Sequence, residues 1–425
     1  MFVRQSTRGR RHKPAKPTPS FPLTPHNNGQ WCKKIRGKIH FFGIWEDPQS
    51  ALNNYLRIAA DLHAGRQPSP MNLHAGGLAV KDACNYYLNY QFQKTQTNEI
   101  RPGSFETCRR VAESLARILG ATRAVSDLTP TDFQQLRLHI SRHGLTSKSK
   151  GLGPHAQSRV ITIVRSIFKH AYDSDLIDRP VKFGTGLDRP SATLKRRIRR
   201  AAEMENGKRL FEPAEIRAMI QAAEMPLRAM ILLGINGGFG NTDCASLPGK
   251  AVDFDRAVIE FDRPKTGIER VVPLWSETLK ALHQAVAKRP KAANDEAARL
   301  VFLTVFGKPW VREIIHRSTD SSIEKVVPID AIGHEFSKLI SRLAIKRKGV
   351  GFYALRHTFR TWADEVRDQH AIHRIMGHTI PGMSGIYIEE ISLDRLRTVV
   401  NHVRSKLFGT AETSQPAAPT PATAT

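Results

Sequence analysis

Two long stretches of helix-periodic apolar residues are separated by a segment that no apolar core can absorb, and this break constrains the fold more than any other feature. From about Leu78 to Asp178, Val80, Ala83, Cys84, Tyr87 and Leu88 recur at helical spacing, as do Val111, Leu115, Ile118 and Leu119. A similar pattern resumes at Leu210 and runs to Phe408. Between Arg179 and Lys208 lie Pro180, Pro190, several glycines and the run Lys195-Arg196-Arg197-Ile198-Arg199-Arg200. Burying consecutive unpaired cations is prohibitively costly, so this segment reads as a basic linker between two separate cores.

The flanks add smaller pieces. Residues 1–25 combine Arg and Lys with Pro, Ser and Thr and read as a disordered basic arm; the first forty residues hold ten Lys/Arg and no acid. Residues 26–70 alternate over Gln30–Ile35 and Gly37–Phe42, with Gly37 as a turn, before a helical pattern from Pro48 to Ala64. Residues 75–180 form a helical bundle, 181–208 the linker, 209–408 a larger domain, and the Ala/Pro/Thr stretch 409–425 a disordered tail. Within the bundle, Thr129 is placed to cap a helix with Pro130 at its first position. Val258–Asp262 and Glu269–Leu274 alternate like the strands of a basic hairpin; the rest of the third region reads as helical. The fold class expected is mainly α with small β-sheets, an α+β chain.

Charge narrows the partners. Lys and Arg number 65 against 39 acids, a net +26 with a pI near 10.3. Such an excess favours a polyanion, because each neutralised phosphate releases condensed counterions. Lys33, Lys34, Arg36 and Lys38 in the N-terminal strands, Arg159, Arg165 and Lys169 on one bundle helix, and Arg196 and Arg197 in the linker are the candidate nucleic-acid contacts. Each is equally a solvated surface charge. Cys32, Cys84, Cys108 and Cys244 lie too far apart for a zinc or disulfide framework, and no run approaches a membrane span. The expectation is a cytoplasmic protein, nucleoid-associated when bound to DNA.

The chemistry concentrates near the end. Gly351-Phe352-Tyr353-Ala354-Leu355-Arg356-His357-Thr358-Phe359 is followed by Ile375-Met376-Gly377-His378 and then by Tyr387, nine residues beyond that histidine. These elements, in this order and spacing, resemble the tyrosine recombinase (phage integrase) family. Lys265, in Arg263-Pro264-Lys265-Thr266-Gly267, resembles the family's hairpin lysine. Residues 75–180 are similar to its core-binding domain, and 26–70 to the arm-binding module of some integrases. The likeness runs from about residue 28 to 407 and is strongest over the last sixty residues.

The resemblance implies a catalytic domain at 209–408 that cleaves and rejoins double-stranded DNA without metal or other cofactor. Tyr387 would attack the phosphate and form a 3′-phosphotyrosine. Arg356 would hold non-bridging oxygens with its planar fork. Lys265 would protonate the departing 5′ oxygen, and His378 would hydrogen-bond the phosphate or assist the tyrosine. A homo-oligomer on DNA is implied, with the helix bearing Leu393, Leu396, Val399, Val400, Val403 and Leu407 either packed on its own domain or docked on a neighbouring protomer.

Two positions depart from the family. Where it places its first arginine this chain has Gly240, and Tyr353 stands where a histidine is usual. An absent phosphate clamp costs about 3–4 kcal/mol of transition-state stabilisation. Either the charge is resupplied, by Gly237, Gly238 and Gly240 backbone N–H groups in an anion nest or by Asn241, Arg263 or Arg270, or the chain is a catalytically impaired DNA-binding or regulatory protein. A topoisomerase of related chemistry is a third option.

Overall fold

The computed structural model describes residues 13–65, 77–145, 150–317, 323–380, 388 and 390–409. The chain divides into two units, residues 1–197 and 198–425.

The first unit contains two apolar cores. In one, β1 (Thr24–His26), β2 (Gln30–Ile35) and β3 (Lys38–Ile44) form an antiparallel meander covered by α1 (Pro48–Ala64). Arg36 and Gly37 both take positive φ, +47° and +86°, as a two-residue hairpin between Ile35 and Lys38 demands. The Asp47 carboxylate accepts the Ser50 N–H at 2.9 Å and starts α1. Phe21 and Leu23 are buried here, Phe21 edge-on to Trp31 at 5.0 Å. The arm expected through residue 25 is therefore shorter, because the inward face of β2 needs these two side chains as cover; residues 1–12 lie outside the described residues.

The other core joins α2 (Val80–Gln96), α3 (Pro102–Leu119), α4 (Pro130–His143) and α5 (Pro154–Asp173). Leu115, Phe133, Ile161, Ile167 and Phe168 are almost wholly buried at its centre. Thr129 and Asp132 cap α4 reciprocally, the Thr129 N–H donating to Asp132 Oδ2 at 2.8 Å. The linker departs from expectation. Residues Ala192–Asn206 form α6, with no buried side chain and Ile198 exposed. Its Arg, Ala, Met and Glu residues are strong helix formers, and Arg199 pairs with Glu203 one turn on at 2.9 Å.

The second unit is organised around α8 (Leu227–Gly237), which follows α7 (Pro213–Ala222) and is buried along nearly its whole length. A one-turn α9 (Asn241–Ala245) leads to the antiparallel sheet of β4 (Val252–Asp253), β5 (Val258–Glu260) and β6 (Val271–Pro273). Next come α10 (Ser276–Ala287) and the short α11 (Asp295–Ala298). A two-stranded ribbon follows, β7 (Val311–Arg317) paired with β8 (Ile323–Asp330), where only helix was expected. Its β-branched residues, Val311, Ile314, Ile315, Val326 and Val327, suit a pleated pair better than a helix.

The unit closes with α12 (Ala331–Arg342), α13 (Ala354–Ala363), α14 (Gln369–Met376) and α15 (Leu393–Phe408). Gly234 lets α13 approach α8: a Cβ there would lie 2.9 Å from Leu355 Cδ1. On α15, Leu396, Val399, Val400, Val403 and Leu407 are buried within this unit, and Trp275 Nε1 donates to Val400 O at 2.9 Å. The stripe considered for docking on a neighbour is thus already covered by its own chain. Among the described residues no helix is long and apolar enough to cross a membrane, and no cluster of metal-ligating side chains occurs.

Candidate active site

Three turns bring the candidate residues of the second unit together. The first ends α8. Gly238 takes φ +65°, the left-handed conformation that closes a helix, and its carbonyl accepts a hydrogen bond from Arg356 Nη1. A Cβ at this position would sit 3.0 Å from Phe359 Cδ1, so glycine serves both the turn and the packing. The second turn ends α14, where Gly377 adopts φ +60° and the His378 N–H donates to His373 O at 3.0 Å. The third is the β5–β6 hairpin, with Gly267 at φ +64° and the Arg263 N–H bonded to Ile268 O at 2.8 Å.

Arg356 ties these turns. From α13, its Nη2 donates to Met376 O at 2.8 Å and to His378 Nε2 at 2.7 Å. Guanidinium is always a donor, so Nε2 is the accepting nitrogen and the His378 proton sits on Nδ1. The hairpin packs on the same turn: a Cβ on Gly377 would meet Arg263 Cβ at 2.8 Å, and Thr266 Oγ1 donates to Gly377 O at 3.3 Å. Lys265 stands exposed on that hairpin.

The electrostatics are unusual for a protein interior. Arg356, Arg263 and Arg270 are 2 %, 8 % and 0 % exposed, and Asp243 is 5 % exposed. Asp243 Oδ2 lies 3.1 Å from Arg270 Nη2 and 3.8 Å from Arg356 Nη1. The Arg270 approach is an ion pair without hydrogen-bond alignment: its Nε, Nη1 and Nη2 have no hydrogen-bond partner, nor has Arg263 Nε. The Arg270 guanidinium lies over the Phe239 ring at 4.3 Å. Burial, then the positive neighbours Arg263 and Arg270, bring Arg356 down to about 10. Burial likewise lowers Arg270. His378 is pushed down to about 4 by burial and by Arg356 and Arg263, so it is neutral at pH 7.

Gly240 is the N-cap of α9, with φ −93°, and its N–H donates to Asp243 Oδ2 at 2.8 Å. A Cβ there would meet the Tyr353 ring at 3.1 Å. Tyr353 itself is 46 % exposed, edge-on to His357. The anion nest expected at Gly237, Gly238 and Gly240 is not formed. The Gly238 and Phe239 N–H groups both donate to Leu233 O, and that of Gly240 is taken by Asp243. Asn241 is occupied too, its Nδ2 bonded to Asp330 Oδ2 at 2.8 Å. Tyr387 lies outside the described residues.

The remaining basic candidates are dispersed. Lys34, Arg36, Lys38, Arg159, Lys169, Arg196 and Arg197 are exposed. Lys33 donates to the Tyr55 hydroxyl at 2.9 Å, Arg165 pairs with Asp188 at 3.0 Å, and Lys169 with Asp173 at 2.7 Å. Reading the sequence for motifs missed Asp243 as the shared anion and the burial of Arg270. A signal existed: Arg270 has the same strand parity as Val272, which is fully buried, so alternation places both inward.

Residues 205–392 match the phage integrase family. A solved lambda integrase tetramer bound to a Holliday junction aligns over 88 % of this chain and 99 % of that one, at 14 % identity and TM-score 0.50. The Tn1549 transposon integrase in complex with transposon right end DNA covers 77 % of this chain and 100 % of that one, at 17 % identity and TM-score 0.47. No curated protein sequence matches. The likeness to lambda integrase is one of fold, and with the arginine-centred turns it defines the class as a tyrosine recombinase fold. The family match makes residues 205–392 a phage integrase domain.

Proposed function

We propose that this chain is a DNA strand transferase that cuts and rejoins duplex DNA through Tyr387. The phenolic oxygen attacks the scissile phosphorus, the bond to the 5′ oxygen breaks, and the leaving oxygen takes a proton from Lys265. The phosphodiester is exchanged for a phosphotyrosine ester, so a 5′ hydroxyl can later reverse the step without an external energy source. The observation that carries this reading is the set of three buried guanidiniums, Arg356 and Arg270 beside the Asp243 carboxylate and Arg263 against the Gly377 turn that leads to His378, on the hairpin that also bears Lys265. Such a set favours a bound anion and the charge that develops on phosphorus.

His378 fits as a neutral partner. With its Nε2 accepting from Arg356, it adds no fourth positive charge to the free site. A phosphate arriving beside it would raise its pKa and let it take up the tyrosine proton. The lambda integrase structure is described as a tetramer on a Holliday junction, and by analogy this chain works as a homo-oligomer on DNA.

The test is direct. Full-length protein is incubated with a pool of nicked random-sequence duplexes, and protease-sensitive, detergent-resistant adducts are counted. Adducts are expected with wild type and none with Tyr387→Phe. Gly240 favours a second reading, a DNA-binding protein that does not cut, since no side chain stands at the family's first arginine position. Retained DNA binding with no adduct from wild type would establish that alternative.

A further inference from the structure

We infer that Arg270, immediately before β6 and assisted by Arg263, supplies the phosphate-clamping charge that Gly240 cannot. The inference rests on the strand-transfer reading for its purpose, though not for its geometry.

The argument begins with burial. Arg270 is entirely enclosed, yet none of its three guanidinium nitrogens makes a hydrogen bond, and Arg263 leaves its Nε unpartnered as well. Leaving buried donors unmade is costly, and more so when they are charged. Arg356, by contrast, already places its Nη1 on Gly238 O and its Nη2 on Met376 O and His378 Nε2. Arg270 instead rests on the Phe239 face and turns Nη2 to one oxygen of Asp243, which orients the fork and leaves Nε and Nη1 uncommitted.

Charge count points the same way. Arg270 and Arg356 both approach Asp243 Oδ2, and Arg263 packs on the Gly377 turn beside His378. Three guanidiniums against one carboxylate leave two positive charges in excess inside the protein. A phosphodiester brings one negative charge and its pentavalent transition state brings two, so this excess is matched to the reacting group rather than to the free protein.

Sterics explain why the charge has moved. The space in which a side chain at residue 240 would begin is bounded by the Tyr353 ring, 3.1 Å from the ideal Cβ. Asp243 also bonds the Gly240 N–H while pairing with Arg270, so it links the vacated position to its substitute. Gly240, Tyr353 and Arg270 are one coordinated exchange.

The experiment uses full-length wild type, Arg270→Met and Arg270→Lys, with inorganic sulfate as the anion probe. Tm is measured in sodium sulfate and in sodium chloride at equal ionic strength. Sulfate raises Tm generally, so the readout is the extra increment of wild type over Arg270→Met. Wild type is expected to show this increment, Arg270→Lys part of it, and Arg270→Met none. In chloride, Arg270→Met is expected to melt no lower than wild type, since Asp243 keeps Arg356 and the Gly240 N–H as partners. An undiminished increment in Arg270→Met, or a marked fall of its Tm in chloride as for a broken structural ion pair, overturns the inference.

On the nicked duplex pool, Arg270→Met should form adducts about 10²–10³ more slowly, with Arg270→Lys between it and wild type. Unchanged adduct formation in Arg270→Met also overturns the inference. If wild type forms no adduct, the strand-transfer reading fails while the sulfate measurement still decides whether Arg270 holds an anion.

Discussion

The α2–α5 bundle and the core around α8 bury similar apolar side chains but handle charge in opposite ways. In the bundle, cations stay near the surface beside acids: Arg109 with Glu106 at 2.8 Å, Arg123 with Asp132 at 2.7 Å. Ser114, the one buried polar side chain among the described residues of the bundle, donates to Leu145 O at 2.8 Å. Around α8, three arginines are buried with Asp243 between two of them, and donors are left without acceptors. Among the described residues, no buried side-chain N or O atom of the bundle lacks a partner. The other region holds an excess of buried positive charge, and perturbed charge of that kind is what a candidate site, rather than a scaffold, tolerates.

The largest effect should come from the residue that joins the three turns. Arg356→Met is expected to slow adduct formation by about 10³ or more, since both the phosphate fork and the His378 contact are lost. Single-turnover kinetics on the nicked duplex pool measure it; a change below tenfold would break the contrast between the regions. Next, Phe133→Ala at the bundle centre should destabilise by about 3–5 kcal/mol, seen in denaturant melts, while leaving the anion increment in Tm intact.

A smaller effect separates two glycines with positive φ. Gly238→Ala combines left-handed strain with the 3.0 Å approach to Phe359 and should cost about 2 kcal/mol, whereas Gly120→Ala in the bundle, whose Cβ would meet only Arg123 Cβ at 3.5 Å, should cost about 1 kcal/mol. Equal losses in thermal melts would remove the packing argument for Gly238.

The smallest effect is in pH dependence. His378 titrates at about 4 when folded, below its ordinary value near 6.5. Between those values the unfolded chain binds a proton that the folded one refuses, so stability falls as pH drops through that window. His378→Gln should flatten part of this decline. Asp132 in the bundle behaves otherwise: the Arg123 guanidinium and Thr129 donors hold its carboxyl well below the usual range. Its contribution is full above about pH 4 and is lost at lower pH, so Asp132→Asn should lower stability above about pH 4, converge on wild type below it, and change the slope only in the acid limb. Melts from pH 3 to 7, in about half-unit steps, resolve the two windows.

Local signals were well recorded in the sequence. The helical pattern Pro48–Ala64 has the observed bounds of α1, Thr129 caps α4, and the hairpin strands fall where alternation placed them. Errors arose where local and tertiary cues conflicted. Prolines and glycines around residues 179–208 outweighed the helix formers of α6, and Phe21 and Leu23 were hidden among basic residues. The ribbon of β7 and β8 was read as helix despite its β-branched residues. Among the candidate residues, the order and spacing of Arg356, His378 and Tyr387 were legible because they share one short stretch. The meeting of Asp243, Arg270 and Arg356 was not, because it depends on how α9, β6 and α13 pack.

The ring of Tyr353 standing over Gly240, 3.1 Å from where a Cβ would begin, couples the two residues sterically. Any side chain at residue 240 requires the half-exposed phenol to give way by a few tenths of an ångström, so the two positions are read by the protein as a pair.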